Sequence, residues 1–446
     1  MPVDTLADLL GREMTPTALE EAAQLAAGLS DGDLVGLVER LPAARASVLL
    51  QTLDEGRALA VFASLDAPHQ AVLVDALQES YAVGLFVAMD PDDQVSLLDE
   101  LSPDLAEHFL AQLDPRARAL TSLVRAYPRQ SIGRRMSPEV VSVPMTDSVD
   151  EALARVRLRL QDAETVYTLP VVDEGRVLVG VLGLRRLLAT DPDTPVAEIM
   201  RPVESAVVTE DAERTARRFL DRKLLGMPIV DADHRLVGIV TVDDALVITE
   251  EADSQDHARQ GGTEALGRPY LSTAVGDLVR SRIVWLLVLA VSAALTVQVL
   301  EIFEATLTEV VVLALFIPLL TGTGGNTGNQ AATTITRALA LGDVTPRDIS
   351  RVLLREARVG ALLGALLGSL AFLVAGAVYG VQIGLVIGLT LLSVCTIAAT
   401  VGGAMPIIAQ KLRADPAVFS NPFISTFTDA TGLVVYFLIA RAVLQL

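Results

Sequence analysis

Five long apolar stretches crowd the C-terminal part of this chain, near residues 283–302, 307–339, 358–379, 381–409 and 421–444, each long enough to cross about 30 Å of hydrocarbon. Backbone polar groups inside a bilayer must be satisfied within the protein, so these stretches predict five membrane helices. Composition agrees once it is divided. Residues 1–279 hold 47 acids against 25 Lys/Arg, a charge of −22, whereas residues 280–446 hold 8 against 10, a charge of +2. An acidic front half repels phosphate backbones, which argues against a nucleic-acid partner, and suits hard, oxygen-seeking cations. Cys395 is the one cysteine and only four His are present, which excludes a disulfide framework and a thiolate or His-type zinc site. Met1–Leu10 has neither a basic n-region nor an apolar h-region, so the front half is expected in the cytosol.

The first 131 residues read as a helical repeat. Leu41-Pro42, Leu65-Asp66-Ala67-Pro68, Met89-Asp90-Pro91 and Leu113-Asp114-Pro115 recur every 24 residues. In each later step the Asp can cap a helix whose first turn holds the Pro, which predicts a two-helix repeat stacked as an α-solenoid. Asp90, Asp92 and Asp93 gather at one such turn, where capping and cation binding are both open.

Residues 137–256 contain a duplication at an offset of 58 residues: Leu169-Pro170-Val171-Val172-Asp173 with Val179-Gly180-Val181-Leu182, then Met227-Pro228-Ile229-Val230-Asp231 with Val237-Gly238-Ile239-Val240. Each copy reads as a β-hairpin followed by a helix and resembles a CBS domain, giving a β-α-β-β-α pair over 137–198 and 199–258. In nucleotide-binding pairs of that family a Ser/Thr-x-x-Asp step holds ribose and phosphate. The second copy keeps it as Thr241 and Asp244, residues that also suit an ordinary helix cap; the first has Gly183 and Arg186. At most one ATP site is implied. Beyond the acids Glu250, Asp253 and Asp256, Gly261-Gly262 predicts a hinge, and a connecting helix is expected over 261–279, ahead of a membrane domain spanning 280–446.

Arg337, Arg347, Arg351, Arg355 and Arg358 fall in one inter-helix region and Lys411 and Arg413 in another, while the connections near 303–306 and 380 carry no Lys or Arg. The positive-inside rule then puts the N-terminus in the cytoplasm and the C-terminus outside the cell membrane. Inside the second crossing, Pro318-Leu319-Leu320-Thr321-Gly322-Thr323-Gly324-Gly325-Asn326-Thr327-Gly328-Asn329-Gln330 is too polar for a lipid-facing helix and predicts an irregular pore lining; Gly-mediated helix packing is the other reading. In the fifth crossing Asn421, Ser425, Thr428, Asp429 and Gly432 share one helical face. Asp429 has no basic residue near it in sequence, and an ionisable group at that depth is expected to be functional.

These two membrane motifs, with the order of helical domain, CBS pair, connecting helix and five crossings, resemble the MgtE magnesium channels over nearly the whole chain. The resemblance implies a homodimer in the membrane lipid, with a pore between two membrane domains. Carried over residue by residue, Asp429 is the selectivity carboxylate, with Asn421, Asn329, Gly325 and Ser425 along the path. It further implies that cytosolic Mg²⁺ closes the pore by bridging acids, for which Asp90, Asp92, Asp93, Asp244, Glu250, Asp253, Asp256 and Asp277 are the candidates. The chain departs from the family where an acid often precedes the second CBS strand, here Lys223-Leu224-Leu225-Gly226, and one turn after Asp244, here Val247. No catalytic constellation appears, so no enzyme is expected. The leading expectation is passive Mg²⁺ uptake. A broader carrier for Mn²⁺ or Co²⁺ stands against the absence of His, Cys and Met in the pore motifs, and a membrane-anchored CBS nucleotide sensor leaves Asp429 without a role.

Overall fold

The computed structural model describes residues 2–11, 15–160, 162–266, 270, 273–412 and 421–446. They divide into two units, Met1–Ala252 with Gly267–Thr273, and Asp253–Leu266 with Ala274–Leu446.

The first unit opens with ten helices among the described residues, α1 (Pro2–Leu10) to α10 (Pro115–Arg125). The 24-residue spacing is visible in their starts. Helices α4 (Ala43–Thr52), α6 (Ala67–Ala76), α8 (Pro91–Glu100) and α10 follow one another at that interval, as do α5 (Glu55–Ala63), α7 (Glu79–Val87) and α9 (Pro103–Gln112). Asp54, Asp66 and Asp114 accept backbone N–H groups in the first turns they precede. The repeat extends into the interior: Gln70 Nε2 donates to Phe62 O and Gln94 Nε2 to Phe86 O, at equivalent places one repeat apart. Phe62, Phe86 and Phe109 lie in the core between the helix layers.

The α/β module follows. Its first half comprises β1 (Val143–Pro144), α11 (Val149–Leu158), β2 (Thr168–Val172), β3 (Leu178–Gly183), α12 (Leu184–Leu188) and α13 (Val196–Ile199). Its second comprises β4 (Ala206–Val207), α14 (Ala212–Asp221), β5 (Gly226–Val230), β6 (Leu236–Thr241) and α15 (Val242–Gln260). In each half a short strand pairs parallel with the next, which turns back antiparallel onto the third. The registers coincide at the sequence offset: Leu169 faces Leu182, and Met227 faces Val240. Asp173 and Asp231 accept the N–H groups of their own turns, so both hairpins close by the same side-chain device. The tips are joined by Leu178 N–H to His234 O and Leu236 N–H to Arg176 O.

Among the described residues of 261–279, where a connecting helix is expected, only those from Val275 onward are helical. Helix α15 ends in a Schellman turn, in which Gly262, at φ +67°, donates to Arg259 O and Thr263 N–H to Ala258 O. Residues 263–266 are non-helical, and helix resumes at Val275 as the start of the first membrane segment. The Gly pair terminates the acid-rich helix where a flexible hinge alone was expected.

In the second unit five helices are long and apolar enough to cross a membrane: α16 (Val275–Ile302), α18 (Ile317–Ala340, following the short α17, Glu304–Glu309, and a 3₁₀ turn, Val311–Phe316), α19 (Ile349–Tyr379), α20 (Val381–Lys411) and α21 (Asn421–Leu444). Helices α19 and α20 form a hairpin that reverses at Gly380, whose φ of +98° disfavours any side chain. Among the described residues helix α16 has none that is buried, whereas α20 is the central helix, packed on α18, α19 and α21.

Candidate cation sites

The polar run 318–330 lies inside α18 as regular helix, so the irregular lining expected there is corrected. Its glycines serve close packing. A Cβ on Gly324 would lie 2.6 Å from Val394 Cγ1 of α20, and one on Gly328 would lie 2.7 Å from Ile424 Cγ2 of α21. The irregular backbone sits upstream, in the 3₁₀ turn.

This packing brings one face of α18 against the start of α21. Asn329 Nδ2 donates to Ser425 Oγ at 2.9 Å, and a Cβ on Gly325 would touch the same Oγ at 3.4 Å. Asn329 Oδ1 is buried with no hydrogen-bond partner among the described residues. Asp429 follows Ser425 by one helical turn on the same face and is half-buried; among the described residues it makes no ion pair or hydrogen bond. The polar stripe is narrower than expected. Thr428 is buried and its hydroxyl returns to Ile424 O and Ser425 O, while Gly432 packs on Val394. Asn421 opens α21, but its side chain lies outside the described residues. What remains is a carboxylate and a hydroxyl one turn apart on α21, with an amide on α18 bonded to that hydroxyl, a set of hard oxygen donors suited to a hydrated Mg²⁺ that keeps most of its own waters.

A second acidic group lies inside the first unit. Asp92 is 7% exposed with Oδ1 unpartnered among the described residues. Burial, followed by the charges of Asp244, Asp93 and Glu164, holds its carboxyl well above the usual range. Asp93 is pushed up to about 7, first by burial and then by Asp244, Asp90 and Asp243. Glu164 is pushed up to about 8, again by burial first and then by Asp244 and Asp90. Asp90 occupies the N-cap of α8 without making a cap bond, unlike its counterparts Asp66 and Asp114. The described residues form no three-ligand cage. The group is a set of carboxylates that raise one another, with Arg135 the cation that offsets Asp244; a few of them would suffice for an ion that retains its water.

Of the eight acids expected to respond to the ion, Asp90, Asp92, Asp93 and Asp244 thus meet at this interface. Glu250 is exposed on α15 and does not bear on them. Asp253, Asp256 and Asp277 belong to the membrane unit, Asp277 exposed in the first turn of α16. Glu164, Glu139 and Asp243 were missed. Glu164 stands ahead of β2 in the first copy, the kind of position sought only in the second. The Thr241–Asp244 step acts as a cap, with Asp244 Oδ2 accepting from Thr241 Oγ1 at 2.6 Å and from its N–H at 3.0 Å. Those same bonds oppose the burial that raises the Asp244 carboxyl.

Comparisons with known proteins fall on the same divisions. Residues 317–439 match the MgtE family, described as a divalent cation transporter; residues 29–130 match the MgtE intracellular N domain, and 130–193 and 196–249 match CBS domains. The magnesium transporter MgtE of Thermus thermophilus is 39% identical over 334 residues, 75% of this chain and 74% of that protein. Among solved structures, the soluble part of a magnesium transporter is 26% identical with a TM-score of 0.50, covering 56% of this chain and 98% of that one. The cytosolic domain of the Mg²⁺ channel MgtE in complex with ATP is 34% identical with a TM-score of 0.48, covering 51% and 93%.

Proposed function

Because this chain belongs to the MgtE family of divalent cation transporters, we propose that it is a Mg²⁺ uptake channel whose pore is lined by α18 and α21 and whose closure is driven by Mg²⁺ at the acidic interface of its first unit. It is a multi-pass membrane protein and a transporter, not an enzyme. The observation that carries the reading is Asp429, a carboxylate one turn from the Asn329–Ser425 bond with no cationic partner among the described residues. In a homodimer two such carboxylates form an acidic ring that concentrates cations, while amide and hydroxyl oxygens hold the waters the ion does not give up. The α16 face that nothing in the chain covers leaves room for lipid or a second copy.

Transport is passive. An inside-negative potential adds about 2.3 kcal/mol per charge per 100 mV to the ion gradient. The arginines at the α18–α19 connection set that side, and with it the N-terminus, in the cytoplasm and the C-terminus outside. For the gate, crowded carboxylates disfavour the packed interface until Mg²⁺ binds between them, so the ion shifts the population by binding one arrangement better than the other. ATP is given a place only at the second CBS copy, where it competes with the helix cap for Asp244.

The test is Mg²⁺ influx into liposomes holding the full chain, with Mn²⁺ and Co²⁺ as competitors and Mg²⁺ varied on the cytoplasmic face. Saturable Mg²⁺ flux that resists equimolar Mn²⁺ and Co²⁺ and falls as cytoplasmic Mg²⁺ rises is expected. Equal suppression by all three ions would replace the Mg²⁺ reading with a broader carrier.

A further inference from the structure

Between α10 and the CBS pair the chain runs through residues 126–135, and its hydrogen bonds divide sharply. Residues 130–133 are already part of the second CBS half: Ile132 N–H donates to Glu210 O at 2.8 Å, Gly133 N–H to Val208 O at 3.0 Å, and Gln130 O accepts from Ala212 N–H at 2.9 Å. A Cβ on Gly133 would meet Val208 O at 2.8 Å, so this seam admits no side chain there. Arg134, the next residue, reaches back in the opposite direction. Its Nη2 and Nε bond the two carboxylate oxygens of Asp99 at 2.6 and 3.2 Å, and its Nη1 donates to Tyr127 O at 3.1 Å and to Arg125 O. Arg134 is 7% exposed, and Arg129 stands 3.6 Å from the same carboxylate. Arg135 pairs with Glu251 of α15. One dipeptide therefore ties the last turn of α8 to the second CBS half and to its long helix.

We propose that the Arg134–Asp99 pair is a metal-independent clasp that holds the helical domain near the CBS pair when no cation is bound, and so sets the Mg²⁺ concentration at which the sensor closes. The inference rests on the gating reading above. The geometry gives it a lever. Helix α8 carries Asp92 and Asp93 in its first turn and Asp99 in its last. The first turn faces carboxylates that repel it without Mg²⁺, and the last is fixed by a bidentate, largely buried pair of the strong, charge-assisted kind. With the clasp closed, the cation-free domain stays poised within reach of Asp244 and Glu164, and Mg²⁺ need not pay the full entropy of docking. Without it, the competent arrangement becomes a minor population, and the apparent affinity for Mg²⁺ falls by that fraction.

The experiment compares the full chain with Asp99→Asn and, as rescue, Asp99→Glu. Hydrogen exchange over residues 92–100 and 126–135 is measured with and without Mg²⁺, beside the cytoplasmic Mg²⁺ that half-closes flux in liposomes. In Mg²⁺-free buffer Asp99→Asn is expected to exchange about tenfold faster in both segments, to need about fivefold more Mg²⁺ for half-closure, and to regain wild-type protection at saturating Mg²⁺; Asp99→Glu recovers part of both effects. That recovery at saturating Mg²⁺ also shows that the variant is folded. A half-closing concentration within twofold of wild type overturns the proposal, even if thermal stability falls, because a purely structural pair lowers stability without moving the Mg²⁺ response. Should wild-type flux ignore cytoplasmic Mg²⁺, the gating reading fails on its own, and the clasp is judged by exchange: faster exchange in Asp99→Asn supports it, and unchanged exchange overturns it.

Discussion

The molecule uses carboxylates in two ways, and the contrast lies in their number and company. At the interface inside the first unit Asp92, Asp93, Asp244 and Glu164 crowd together, and burial with mutual repulsion raises each of them. In the membrane unit Asp429 stands as a single acid beside Ser425 and Asn329, whose remaining oxygen is unpartnered among the described residues. Crowded acids make a poor resting state, which is why the proposed gate responds to a cation there. On the proposed reading, a lone acid among neutral oxygens binds just enough for the ion to enter and leave. Under that proposal the same ion is a signal at one place and cargo at the other because the number of charges differs, with oxygen donors throughout.

The sharpest way to break this comparison is Asp429→Ala, which should reduce Mg²⁺ flux in liposomes by at least about 100-fold, the order expected when a preorganised electrostatic partner is lost. Persisting flux would move the pore elsewhere. Next in size is the double change Asp92→Asn and Asp93→Asn. With the repulsion removed, packing of the helical domain on the CBS pair should become nearly independent of Mg²⁺, seen as protease protection at zero Mg²⁺ close to that of wild type at saturation. Protection that still requires Mg²⁺ would put the sensor outside these acids.

Acidity should mimic the ion at one place only. Asp93 at about 7 and Glu164 at about 8 lie above their ordinary 3.8 and 4.5, so the packed interface holds more protons than the separated one. Its stability is therefore greatest below the ordinary values and is lost as pH rises through 7 to 8. Mg²⁺-free protein should lose protease protection between pH 6 and 8, and saturating Mg²⁺ should flatten that slope; a slope of the opposite sign would contradict the assignment. Smaller still, Ser425→Ala leaves Asn329 Nδ2 without its acceptor, worth about 1–3 kcal/mol, and should lower flux several-fold without altering the Mg²⁺ that half-closes it. The smallest effect belongs to Asp54→Ala, a helix cap that belongs to neither acid group, expected to lower the stability of the helical domain by about 1 kcal/mol in thermal unfolding and to leave flux unchanged.

Much of this architecture could be read from local residues. The helical repeat was legible because each step carries its own Asp and Pro, and the duplicated hairpins because Leu169 and Met227 occupy equivalent registers. Asp429 stood out because a charge in an apolar segment has few explanations. The errors came where the deciding neighbour is distant in sequence. In sequence Gly324 and Gly328 fit an irregular lining or close helix packing, and the second holds because Val394 and Ile424 press against them from other helices. Glu164 escaped notice because the acids that give it meaning arrive from α8 and α15. The break after α15 is equally non-local, since Gly262 in the sequence reads as a hinge as readily as the end of the helix before it.

Gly380 bears on how such a chain enters a bilayer in the first place. It reverses direction between α19 and α20 with no Lys, Arg, Asp or Glu among its near neighbours, and along the hairpin it closes, a Cβ on Gly364 would come within 2.7 Å of the Leu392 backbone. A tip without charge crosses hydrocarbon cheaply. During synthesis the pair can therefore enter the membrane as one hairpin against the already made α18, and leave a flank of α20 for α21, which follows it in the chain.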